Sequence, residues 1–220
     1  MGRRFAELAF TPGVKEQQRR HGSRGQYQRV EASGNYGADL GPAEQAFIRA
    51  RDGFYMASVS ETGWPYIQFR GGPQGFLHVL DQHTLGFADL RGNMQYITTA
   101  NLLNDDRVAL FLMDYAHQTR LKILGRAQIL EDTPEAKEWI GRLSVPEEDG
   151  RPERAVLIRV EAYDWNCPQH ITPRFTKDEV ERAIEPFRRR VAALEEENTR
   201  LRTGLRSGAS ALSVTPGASR

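Results

Sequence analysis

Between residues 54 and 126, short apolar runs with a period near two are interrupted at two places by polar, glycine-bearing segments. Residues 54–60 are β-rich and end at Glu61-Thr62-Gly63, after which extended structure resumes through 64–69, so a hairpin is predicted. Residues 76–80 and 84–88 predict a second pair, joined by the polar turn Asp81-Gln82-His83. Residues 107–113 are apolar on both faces, as an inner strand is. In 119–127 the alternation sets Leu121 and Ile123 on one face and Arg120 and Lys122 on the other. Residues 154–163 read as the last strong strand. Many short strands without a regular strand–helix rhythm favour an antiparallel barrel over a doubly wound sheet.

Helix signals punctuate this pattern. Gly41-Pro42 and Thr133-Pro134 open helices with proline at the first position, where its missing N–H costs nothing. Asn93 is expected to cap a helix reaching about residue 102, and residues 146–152 form a loop. Thr176 followed by Glu179 is a capping box. Beyond it Ile184, Phe187, Val191, Leu194, Asn198, Leu201 and Leu205 recur at alternating spacings of three and four. That seam suits a two-stranded coiled coil, with Asn198 at an a position, or a single amphipathic helix docked on the barrel. The expected organisation is an arm over 1–41 with one helix near 14–20, a barrel over 42–174, a helix over 175–205 and a disordered tail over 206–220.

Composition narrows the partners. Lys and Arg total 30 against 29 Asp and Glu, so the chain has no overall field for nucleic acid. Cys167 is the sole cysteine, which excludes an internal disulfide and a Cys-rich zinc site and suits a reducing cytoplasm. No apolar stretch approaches the roughly 20 residues of a membrane span. The arginines of the arm are interrupted by Glu7, Glu16 and Glu31, which reads as a solvated extension or a helix covering the core rather than a targeting segment.

The two interruptions carry the candidate chemistry. Gln68-Phe69-Arg70-Gly71-Gly72 offers a permanently charged, planar donor beside glycines that permit close backbone approach. Phe87-Ala88-Asp89-Leu90-Arg91-Gly92-Asn93-Met94-Gln95-Tyr96 offers a further arginine and a Gly-Asn pair expected to open a helix and aim backbone amides at an anion. Arg70 reads as a phosphate clamp or as an ion pair after a strand, and Gln95 as a phosphate contact or an exposed first-turn residue. Arg120 and Lys122 alone would be the wet face of a strand, and Trp165 a core aromatic. His170 is a proton donor, a structural histidine or, with Cys167, a metal ligand; two ligands make no zinc site, so no metal is expected.

Residues 63–73, 85–97 and 164–171 together resemble the pyridoxamine 5'-phosphate oxidase-like, FMN-binding split-barrel family, over about residues 43–174, and the third segment resembles a bacterial subgroup of unassigned substrate. The resemblance implies a mainly β (α+β) fold: a six-stranded antiparallel split β-barrel with short flanking helices and a long C-terminal helix. It implies a homodimer with FMN at the subunit interface and hydride transfer to or from a small-molecule substrate. It places cofactor contacts at Gln68, Phe69, Arg70, Gly71, Ala88, Asp89, Arg91, Asn93, Met94, Gln95, Arg120, Lys122, Trp165, Gln169 and Arg174, with His170 the catalytic candidate. Met94 and Gln95 stand where the oxidases carry adjacent Arg and Lys, and the oxidases' substrate-binding Arg-Leu-His stretch is missing. Alternatives are a flavin-binding sensor without turnover, or a split barrel using a deazaflavin coenzyme or haem.

Overall fold

A computed structural model describes residues 2–34, 37–143, 145–146, 150–165 and 169–212, with side chains to residue 205. They form two compact units, Met1–Pro173 and Arg174–Arg220. The first is built on seven strands: β1 (Gly53–Val59), β2 (Pro65–Gly71), β3 (His78–Val79), β4 (Thr84–Leu90), β5 (Arg107–Asp114), β6 (Thr119–Leu130) and β7 (Pro152–Trp165). All pairings are antiparallel, in the order β2-β1-β5-β6-β7-β4-β3. The expected mainly β architecture with flanking helices is the one that forms; the two-residue β3 at the sheet edge brings the strand count to seven.

The sheet is rolled. Three strands separate β1 from β4 in the sheet order, yet the rings of Phe54 and Phe87 meet at 5.5 Å, edge to face. Inward positions of β1, β4, β5, β6 and β7, among them Phe54, Met56, Leu85, Phe87, Leu110, Leu112, Leu121, Ile123, Val156 and Ile158, pack as one cluster. Where β2 approaches β4 no strand ladder joins them, and side chains bridge the seam instead.

The helices of this unit are α1 (Arg3–Ala9), α2 (Pro12–Arg20), α3 (Arg24–Glu31), α4 (Pro42–Arg49), α5 (Ile97–Asn104) and α6 (Pro134–Leu143). The N-terminal region thus holds three helices rather than one. Its charges are matched, not merely solvated: Arg4 pairs with Glu161 of β7 at 3.2 Å and Lys15 with Glu31 at 3.0 Å, while Phe5 and Ala6 are buried. Thr11 accepts a bond from the Val14 amide and so caps α2, as Thr133 caps α6 through the Ala136 amide at 3.0 Å. Helix α6 covers the back of β4 and β7, burying Ala88, Leu143 and Ala155 together.

One irregularity decides side-chain direction late in the barrel. Leu124 pairs with Ala162 and Gly125 with Val160, so Glu161 is an extra residue on β7, a β-bulge. The bulge reverses the parity of β7 and turns Trp165 toward the core, where it meets Phe47 at 4.9 Å.

In the second unit α7 runs Lys177–Leu212, opened by the reciprocal bonds of Thr176 and Glu179. It takes in residues 206–212, expected as disordered tail, because adding a turn to an existing helix costs far less than nucleating one. Residues 213–220 lie outside the described residues. No described helix is long and apolar enough to cross a membrane.

Candidate functional site

Arg70 stands near the end of β2, where alternation turns Tyr66, Gln68 and Arg70 to one side and Ile67 and Phe69 to the other. Across the seam, Asp89 occupies an inward position of β4 and accepts from Arg70 Nη1 at 2.5 Å. A second guanidinium, Arg154 of β7, donates to the same carboxylate at 3.3 Å and to Thr99 Oγ1 at 2.9 Å. Arg154 also pairs with Glu153 at 2.8 Å and Glu131 at 3.3 Å, and lies over the Tyr96 ring at 5.0 Å. Burial pushes the Asp89 carboxyl up, against the downward pull of Arg70 and Arg154. Two cations, Arg154 buried and Arg70 partly buried, are thus held at fixed positions by one buried anion.

Contrary to the expectation from sequence, the loop after β4 does not open a helix at Asn93. Asn93 Oδ1 instead accepts from the Gln95 amide at 3.2 Å, a local turn. Met94 (φ 57°) and Tyr96 (φ 52°) are left-handed, and α5 begins only at Ile97. Six residues, 91–96, connect β4 to α5 and carry the helix start across the seam. The first helical bond runs from the Ala100 amide to Tyr96 O at 2.9 Å, so the Ile97, Thr98 and Thr99 amides precede any intrahelical acceptor. Thr98 Oγ1 donates to Gln68 Oε1 at 3.0 Å, fastening the helix start to β2.

Gln68, Arg70, Asp89, Asn93, Met94 and Gln95 therefore line one cleft with Tyr66, Thr98, Thr99 and Arg154. Arg91 sits at its rim, half exposed, beside Glu153 at 3.6 Å. Other residues that the sequence singled out stand elsewhere. Phe69 lies on the outer face of β2, its ring against the backbone of Gly53 and Gly71. Ala88 faces α6 on the opposite side of β4 from Asp89. Arg120 and Lys122 project from the outer face of β6, over the rings of Phe111 at 5.4 Å and Phe5 at 5.2 Å, and Lys122 pairs with Asp164 at 2.8 Å. Trp165 donates through Nε1 to the buried Glu44 at 2.7 Å. Gln169 and His170 occupy an exposed turn, and Arg174 is exposed in the second unit. Cys167 lies outside the described residues.

Arg154 and the two threonines were not singled out from sequence. A signal for Arg154 existed: the period of two in β7 puts it in step with Val156 and Ile158, and a cation at an inward position demands a buried partner.

The donor set fits a phosphate. Arg70 Nη1 is engaged by Asp89, whereas Nε is buried with no hydrogen-bond partner among the described residues. A guanidinium binds phosphate through two parallel N–H groups, and the Nε edge supplies such a pair. The first-turn amides and the Thr98 and Thr99 hydroxyls border the same cleft, and a helix N-terminus favours an anion.

The family profile described as pyridoxamine 5'-phosphate oxidase matches residues 40–165. The match covers more than half of the chain, which belongs to the pyridoxamine 5'-phosphate oxidase-like family, a family of flavin- or related-cofactor-binding oxidoreductase folds. Among solved structures, HupZ from Group A Streptococcus shares 15% identity at a TM-score of 0.45, covering 62% of this chain and 99% of its own. A candidate pyridoxamine 5'-phosphate oxidase from Lactobacillus delbrueckii shares 22% at 0.45, covering 58% and 94%. A Clostridium acetobutylicum protein related to general stress protein 26 shares 15% at 0.42, covering 63% and 94%. No curated protein matches.

Proposed function

We propose that this chain is an FMN-dependent oxidoreductase, working as a homodimer, in which hydride passes between a small substrate and the flavin. The observation that carries the reading is the convergence of Arg70, the Asn93–Gln95 loop and the start of α5 on one cleft. In this reading the Nε edge of Arg70 and the α5 amides hold the phosphate, Thr98 and Thr99 add hydroxyl donors, and Asp89 with Arg154 fixes the Arg70 guanidinium. The flavin, when bound, supplies the two-electron chemistry.

The outer face of β2, β1 and β5 supports the dimer. Tyr55, Ile67 and Phe69 are 36%, 63% and 57% exposed there, beside Phe111, an apolar group that covering by a second copy would remove from water. Arg120 and Lys122 flank this face, so a second copy seated on it would bring both cations to the interface, where they would stabilise negative charge on a reduced ring.

The test is a visible spectrum of the purified chain followed by titration with FMN. A yellow protein, or a colourless one that takes up FMN stoichiometrically, is expected; failure to take up FMN overturns the reading. Extraction and mass measurement of any resident ligand distinguishes FMN from a deazaflavin or haem. Stopped-flow reduction by NADH or NADPH then separates turnover from binding alone.

A further inference from the structure

The seam of α7 remains uncovered within its own unit: Phe187, Val191, Leu194, Leu201 and Leu205 are 71%, 53%, 44%, 62% and 74% exposed. We infer that α7 pairs in parallel and in register with α7 of a second copy, as a short two-stranded coiled coil. With Asn198 at an a position, Ile184, Val191 and Leu205 also fall at a, while Phe187, Leu194 and Leu201 fall at d. β-Branched residues at a with leucine at d is the composition that favours two parallel strands.

Charge selects the orientation. In a parallel pair each g residue faces the e residue of the partner's following heptad. Arg190 at g then meets Glu195 at e, and Glu197 at g meets Arg202 at e, so both contacts are attractive and symmetry doubles them. Asn198 lies across from its own copy, where two amides satisfy one another. An antiparallel arrangement sets a against d and places that amide opposite leucine, without a partner. Pro186 falls at a c position, turned from the seam. Between residues 184 and 205 the within-helix pairs Glu185–Arg189 at 2.9 Å and Glu196–Arg200 at 3.6 Å use b, c and f positions, and not Arg190, Glu195, Glu197 or Arg202. The inference rests on α7 alone, so failure of flavin binding would leave it standing.

The experiment uses the full chain with Cys167→Ser as background and a single new cysteine at the seam, Leu201→Cys. Under mild oxidation a parallel, in-register pair brings the two d positions together, and a disulfide-linked dimer is expected. Thr203→Cys, on the outer side, should give little. Two charge-reversed forms test the pairing rule: Arg190→Glu with Glu197→Arg, and Glu195→Arg with Arg202→Glu, each in the Leu201→Cys chain. Each alone turns all g–e contacts repulsive and should weaken cross-linking at least about tenfold; mixing the two restores every attraction and should return it. Cross-linking as efficient through residue 203, indifference to charge reversal, or no cross-link through residue 201 would overturn the inference.

Discussion

In the proposed FMN site, Arg70 joins binding to stability. Removing it as Arg70→Ala deletes a charge-assisted contact worth about 1.5–3 kcal/mol, so FMN affinity should fall about 10- to 100-fold in a fluorescence titration. Arg154 makes a different prediction. Arg154→Leu leaves Asp89 buried with one partner fewer, a loss of about 3–5 kcal/mol in urea unfolding at neutral pH. The sign of its pH dependence follows from Asp89. Burial raises that carboxyl above its unfolded value, so its charge costs the fold above the elevated pKa and the cost is relieved as pH falls through it. The deficit of Arg154→Leu should therefore shrink on mild acidification, and a deficit that grows would contradict the account.

Among the elements, the β6–β7 bulge and the β5–β6 turn hold the barrel's shape. A Cβ on Gly125 would lie 2.7 Å from Arg159 O and 2.9 Å from Ile158 Cγ2, so Gly125→Ala should destabilise by about 1–3 kcal/mol and shift the thermal midpoint downward. In the turn, burial raises the Asp114 carboxyl, but the His117 amide and ring and the Arg51 guanidinium, at 2.9–3.0 Å, outweigh it and hold it below the ordinary carboxylate value. Its folded pKa being depressed, Asp114 contributes stability that is complete above the unfolded pKa and is lost as pH falls through the folded one. Asp114→Asn should flatten the acid limb of the pH–stability curve below about pH 4. The strands were legible because alternation is local. The start of α5 was not, because Asn93 serves a turn as well as a helix cap, and only the path between β4 and β2 decides between them.

Over the whole molecule, every residue lining the cleft belongs to the first compact unit. Truncation after Arg174 should accordingly leave FMN uptake unchanged, read by spectral titration; loss of uptake would show that α7 completes the site. Of the residues singled out from sequence, Gln68, Arg70, Asp89, Asn93, Met94 and Gln95 come to share one cleft, whereas Phe69, Ala88 and Trp165 stand elsewhere. Arg70, Asn93 and Gln95 sit on segments that the rolled sheet closes upon, whereas plain alternation turns Phe69 and Ala88 to the outer face and the β7 bulge turns Trp165 inward.

Spacing along the chain was enough to dictate the strands, their antiparallel character, the helices opened by Thr133 and Thr176 and the two polar segments that meet in the cleft, since each follows from a few neighbouring residues. Closure of the sheet was needed to bring β1 and β2 round to β4, to join Arg154 with Arg70 on Asp89, and to make α5 rather than Asn93 the element that presents the amides. Those outcomes link residues far apart in the chain, and their free energy comes from burial and charge pairing that exist only once the sheet has closed.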